Sequence, residues 1–141
     1  MAKEEKEKEM QSKYLQLQVL DNQIKQVQQQ IQKLDAQLTE LETINLSLGD
    51  LKDIKEGTEI LVPVATGIFF KANIKDTKNL LVNVGSNVSV KKTADDAIGM
   101  LNEQVKEIAT YKEQITGQLD VLIDKATAIQ KEFLKLSGQN V

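Results

Sequence analysis

The chain has 141 residues, of which 40% are apolar and only 4% aromatic, and it carries a net charge of -3. Cysteine and histidine are absent, which excludes disulfides, thiolate metal sites, cysteine nucleophiles and the side chain most used for proton transfer near neutral pH. All 18 basic residues are lysine, and an acidic chain without arginine is a poor nucleic-acid binder.

The opening "MAKEEKEKEM" is charged and is followed by no apolar segment resembling a signal peptide. No apolar run is long enough to span a bilayer, so a soluble, cytoplasmic protein that binds no membrane is expected. From Met10 onward apolar residues recur at alternating intervals of three and four. One set is Met10, Leu17, Ile24, Ile31, Leu38 and Asn45; the other is Lys13, Leu20, Val27, Leu34, Leu41 and Leu48. This is a coiled-coil seam, broken only by Lys13 and Asn45 near its two ends. A first helix over residues 1–48 is expected, then a connection at 49–57 bracketed by Gly49 and Gly57.

Residues 58–92 change period. Ile60, Val62 and Val64 alternate with other residues, as do Ile68, Phe70, Ala72 and Ile74, then Leu80, Val82 and Val84, then Val88 and Val90. The period of two predicts four strands, and the turn-like "ATG" and "GSN" divide them into two hairpins. Pro63, the only proline, lacks an N–H and predicts an edge strand or a bulge. Isolated hairpins are marginally stable and leave backbone groups unpaired at their edges. Either other chains or this chain's own helices must cover them. An oligomer is the expected solution, because long coiled coils point away from a hub.

The second helix, expected at 93–137 with a tail at 138–141, repeats the seam rule. Its two sets are Ile98, Val105, Lys112, Leu119, Ala126, Phe133 and Leu101, Ile108, Ile115, Leu122, Ile129, Leu136. Thr93 reads as its N-cap, followed by Asp95 and Asp96 in the first turn, where the helix dipole favours them. Two helices of nearly equal length pair most simply as an antiparallel coiled coil, with partner numbers summing to about 145. Between Leu20 and Leu41 no large apolar residue leaves the seam, whereas Tyr14, Leu15, Val19, Val121, Ile123 and Leu134 do so near the end expected furthest from the hairpins. A cluster of exposed apolar side chains at such an end signals binding. Ile44, Leu46 and Met100 are also off the seam and are expected to pack against the strands.

The order of helix, "LVPVATGIFFKANI", "LLVNVGSNVSVKKT" and a helix with an acidic start resembles the prefoldin family over essentially the whole chain. Two hairpins resemble its alpha class of subunit, and the compact form resembles archaeal members. The resemblance implies an α+β fold in which a long antiparallel two-helix coiled coil carries two central β-hairpins that form an oligomeric β-barrel hub. It implies an ATP-independent co-chaperone in which two alpha and four beta subunits join their hairpins. Non-native client proteins would be held at the distal coiled-coil tips and passed to a group II chaperonin. Carried onto this chain, the client surface comprises Tyr14, Leu15, Leu17, Ile129, Phe133, Leu134 and Leu136. The hub comprises Ile60, Val62, Ile68, Phe70, Leu80, Val82, Val84 and Val88.

Nothing in the sequence points to an enzyme, a cofactor or a metal site. Asp95 and Asp96 are adjacent on a helix and so point in different directions, which suits capping better than acid–base catalysis. No Gly-x-x-x-x-Gly-Lys phosphate loop occurs. The rival reading is a structural adaptor or filament-forming scaffold whose coils bind one defined partner.

Overall fold

The structure is a computed structural model that describes residues 2–138. Its order is helix α1 (Ala2–Leu51), strands β1 (Glu59–Ala65), β2 (Ile68–Asn73), β3 (Asn79–Gly85) and β4 (Val88–Thr93), and helix α2 (Ala94–Leu136). The expected tail lies outside the described residues except for Gly138. By internal contacts the chain divides into two units. One joins α1 through Gln37 to α2 from Ile108 onward; the other is Leu38–Glu107.

In the first unit the seams are as periodic as the sequence predicts. From Met10 to Leu34, and from Ile108 to Leu136, every expected seam residue is half-buried or buried. The off-seam residues are exposed, apart from Leu134. Ile115, only 3% exposed, is the most deeply covered side chain of the unit. Partial burial of a Leu or Ile stabilises by roughly 1 kcal/mol, so the helices depend on many modest contacts repeated each heptad.

Polar seam residues are matched across the pair. Lys13 forms an ion pair with Glu132, and Lys112 with Asp35. The first pair's numbers sum to about 145 and the second's to about 147. Such partly exposed pairs contribute little energy, typically about 0–1 kcal/mol, but they let a lysine occupy the seam without stranding its charge.

In the second unit the seam continues through Leu38, Leu41, Asn45 and Leu48 against Ile98, Leu101 and Val105. Asn45 is not a mere break, because its side-chain amide donates to the Asn102 side-chain carbonyl at 3.0 Å. α1 overruns the expected end at 48 and takes in Gly49, Asp50 and Leu51. It stops in three successive i to i+3 turns in which the Lys52, Asp53 and Ile54 amides donate to the carbonyls of Gly49, Asp50 and Leu51. α2 starts as predicted, with the Asp96 amide donating to Thr93 Oγ1 at 3.1 Å.

The two hairpins are separate antiparallel pairs, β1 with β2 and β3 with β4. In the first, Ile60 lies opposite Ala72, Val62 opposite Phe70 and Pro63 opposite Phe69. The register then shifts, so that Val64 is the extra residue before Ala65 meets Ile68. Pro63 therefore stands beside a bulge, where a missing N–H is tolerated. The second hairpin repeats the device, with a shift between Asn83 and Gly85. Ser86 and Asn87 at its tip both have positive φ, 52° and 60°, as a type I′ turn requires.

Candidate functional site

Two surfaces expose apolar side chains: the open end of the helix pair in the first unit and the hairpin faces in the second. The end of the pair combines the start of α1 with the last turns of α2. Of the seven residues expected there, Tyr14 and Leu15 are 54% and 60% exposed. Leu17, Ile129, Phe133, Leu134 and Leu136 are half-buried. Five of the seven are thus largely withdrawn from solvent, Leu134 among them although its heptad position lies off the seam.

What the residue-by-residue expectation left out is Val19, 56% exposed and one turn beyond Leu15 on the same face. Leu15 and Val19 line a surface groove of about 810 Å³ with Leu20, Ala128 and Ile129. The remaining lining is Lys8, Gln11, Ser12, Gln16 and Lys125. Tyr14 is not part of this groove. Spacing in the sequence marked Val19 as off-seam, but only the partner helix decides that it shares a groove with Ala128 and Ile129. A second, more polar groove follows Lys6, Glu9, Lys13, Glu132, Lys135 and Leu136.

Most of the large apolar side chains of the hairpins are exposed. Val62 and Phe70 form a directly opposed pair, yet they are 40% and 65% exposed. Ile60, Ile68, Val84 and Val88 are also exposed, while Leu80 and Val82 are half-buried. The opposite faces add Leu61, Phe69 and Leu81, of which Leu81 is 75% exposed. A chain that left this much apolar sheet in water would aggregate, so the faces require a partner.

β3 is the strand that also meets the helices. Leu80–Val84 line a wholly uncharged groove with Leu41, Ile44, Leu48, Ala97, Met100, Leu101 and Gln104. Ile44, still 40% exposed, and Met100 line this groove beside β3, and Ala97, 5% exposed, joins them as a buried residue the seam pattern did not mark. Leu46 is the exception: it is 69% exposed and lies outside that groove.

The connection between hairpins is held by one carboxylate. Asp76 Oδ1 accepts the amides of Lys78 at 2.8 Å and Asn79 at 3.2 Å, and Oδ2 accepts from the Asn79 side chain at 3.2 Å. The Lys78 amide first, and the Asn79 groups after it, hold the Asp76 pKa below its ordinary value. Among the described residues no cluster of His, Cys, Asp or Glu could hold a metal ion. No described helix is long and apolar enough to cross a membrane.

The family model "Prefoldin subunit" matches residues 20–139, which takes in α1 from Leu20 onward, all four strands and the whole of α2. The chain belongs to the prefoldin family. Among its relatives, the prefoldin subunit alpha of Pyrococcus horikoshii is 36% identical over 113 residues, covering 79% of this chain and 76% of that one. The prefoldin subunit alpha of Thermofilum pendens is 30% identical over 115 residues, covering 82% and 89%. Both are archaeal and of the alpha class, the class that two hairpins in place of one imply. In fold, the chain is similar to the cryo-EM structure of filamentous PFD from Methanocaldococcus jannaschii, with a TM-score of 0.73 and 23% identity over 82% of this chain and 96% of that one. Prefoldins are chaperone subunits rather than enzymes, and they work as hetero-oligomers. That accounts for bare hairpin faces on an otherwise well-matched pair of helices.

Proposed function

We propose that this prefoldin chain is the alpha-class subunit of an ATP-independent, cytoplasmic holdase that captures non-native proteins at its coiled-coil ends and delivers them to a group II chaperonin. The observation that carries the reading is the pairing of Leu15 and Val19, both more than half exposed, on one groove beside Ala128 and Ile129. Apolar groups left in water at the end of an otherwise satisfied coil are adhesive to any unfolded chain.

The hairpins supply the other half of the reading. Ile60, Val62, Ile68, Phe70, Leu80, Val82, Val84 and Val88 form the hub, in which beta-class subunits complete the strand edges as a β-barrel. The expected assembly has two alpha and four beta subunits. Joining several weak ends on one hub raises the effective concentration of each for a client already held by another. Release needs no nucleotide if the chaperonin competes for the client.

The test is reconstitution with a beta-class partner and challenge with several unrelated denatured proteins. Suppressed aggregation of most of them, weakened by Leu15→Ser with Val19→Ser, supports the reading. Saturable binding to a single folded partner, with no effect on aggregation, would instead make the chain an adaptor or a filament scaffold.

A further inference from the structure

The groove at Leu15 and Val19 does not stop there. A third groove on the first unit is lined by Gln23, Gln26, Val27, Gln114, Gly117, Gln118, Val121 and Leu122. Gln23 follows Leu20 by three residues and Leu122 precedes Lys125 by three, so the two grooves adjoin one turn apart. Together they make a channel along one flank of the pair, between residues 8–27 of α1 and 114–129 of α2. Val121, 53% exposed, continues the apolar strip, and Gly117 leaves it open by contributing no side chain.

The lining chemistry is selective. In a chain with 21 acidic residues and 18 basic ones, no carboxylate lines either groove. The uncharged polar residues of the lining are glutamines and one serine, and its charged residues are both lysine, Lys8 and Lys125. The chain's net charge of -3 would repel an acidic ligand at long range. At physiological ionic strength charges beyond about 8 Å are largely screened, so the nearest groups decide: Lys8 and Lys125 line the channel, whereas their neighbours Glu7, Glu9 and Asp124 lie outside its lining.

Shape narrows the occupant further. The walls are helices whose backbone groups are already paired, so the channel offers only side chains. A helix brings its own N–H and C=O groups already paired, whereas an extended strand would depend on water and on the glutamine side chains of the lining. The channel follows about 20 residues of α1, on the order of 30 Å, which a helix of similar length would match. We propose that this flank takes an amphipathic helical segment of a client, with its apolar stripe on Leu15, Val19 and Val121 and acidic residues beside Lys8 and Lys125. The segment would lie as a third helix against the pair. This rests on the holdase reading and adds a substrate class to it: segments that retain or regain helix and carry carboxylates beside their leucines.

The test uses two labelled 18-residue peptides with the same leucines at i, i+3, i+4 and i+7, one with a Glu/Gln polar face and one with Lys/Gln. Each is titrated into the full chain assembled with its beta-class partner, which covers the hairpins, by fluorescence anisotropy in about 150 mM salt. The acidic peptide should bind roughly five-fold more tightly, the effect of two exposed charge pairs. Lys8→Gln with Lys125→Gln should erase that preference. Val19→Glu should weaken the acidic peptide about ten-fold or more by placing a carboxylate in the strip. Ala36→Glu, at an exposed position outside both linings, should leave binding unchanged, and circular dichroism should show every variant as helical as the parent. Equal affinity for the two peptides, tighter binding of the basic one, or indifference to Val19→Glu overturns the proposal. If aggregation is still suppressed when the charge preference fails, only this inference falls; if suppression is absent as well, the holdase reading falls with it.

Discussion

Asn45 and Asn102 meet amide to amide, Asn45 Nδ2 donating to Asn102 Oδ1 at 3.0 Å, at a seam position where leucine would be the ordinary choice. A polar residue in a coiled-coil seam sacrifices some burial and in exchange disfavours every register in which its partner is missing. The prediction is a coupled pair. Asn45→Ala and Asn102→Ala should each destabilise by about 1 kcal/mol, and the double variant should cost little more than either alone. Urea unfolding of the four proteins checks this; strict additivity would mean the bond contributes nothing.

Lys13 interrupts the same seam nearer the start of α1, and its ion pair with Glu132 leaves it less than a third exposed. Replacing it with leucine should tighten the end of the coil, since a well-packed apolar residue commonly matches or exceeds an ion pair in stability. If a loosely closed end is what lets the chain adapt to varied clients, Lys13→Leu should raise Tm by a few degrees and weaken aggregation suppression. Higher stability with undiminished suppression would show that closure of this end is irrelevant to holding.

Gly117 lies within α2, and a Cβ built there meets nothing within 4 Å. Gly117→Ala should therefore stabilise the helix by about 0.5–1 kcal/mol without a clash. Thermal unfolding followed by circular dichroism is sufficient to measure it.

Ile68 and Val82 are candidates for the hub, one exposed and the other half-buried in the lone chain. A charge at either position should prevent the hairpins from being covered and reduce the assembled mass seen by light scattering. Ile68→Asp is the cleaner variant, because its exposed side chain gives the lone chain little burial to lose. An unchanged mass for both variants would remove them from the hub.

Asp76 ties the second hairpin to the first through two backbone amides, and these hold its pKa down in the folded chain. A depressed carboxylate pKa adds stability above the unfolded value, and that stability is lost as pH falls through the folded one. The amide resonances of Lys78 and Asn79 should therefore titrate together, with a midpoint below the ordinary carboxylate range. Asp76→Asn should abolish this titration while retaining part of the turn.

The sequence determined which residues form the seams, because a heptad period has one helical solution and each seam residue from Met10 to Leu136 is at least half-covered as its spacing required. It also determined the hairpins, since alternation of period two, Pro63 and the "GSN" turn leave a strand little choice about where to bulge and reverse. Helix ends were less legible: α1 ran on to Leu51 because Gly49 weakens a helix without ending it. Only the tertiary structure decided the exposures. Tyr14, Leu15 and Leu134 are all off the seam, yet Leu134 is half-buried, Leu15 and Val19 lie on a groove with Ala128 and Ile129, and Tyr14 lies outside that groove. Periodicity along one helix tells which way a side chain points, but what stands opposite depends on the register of two chain segments more than a hundred residues apart in sequence, and that is settled by packing.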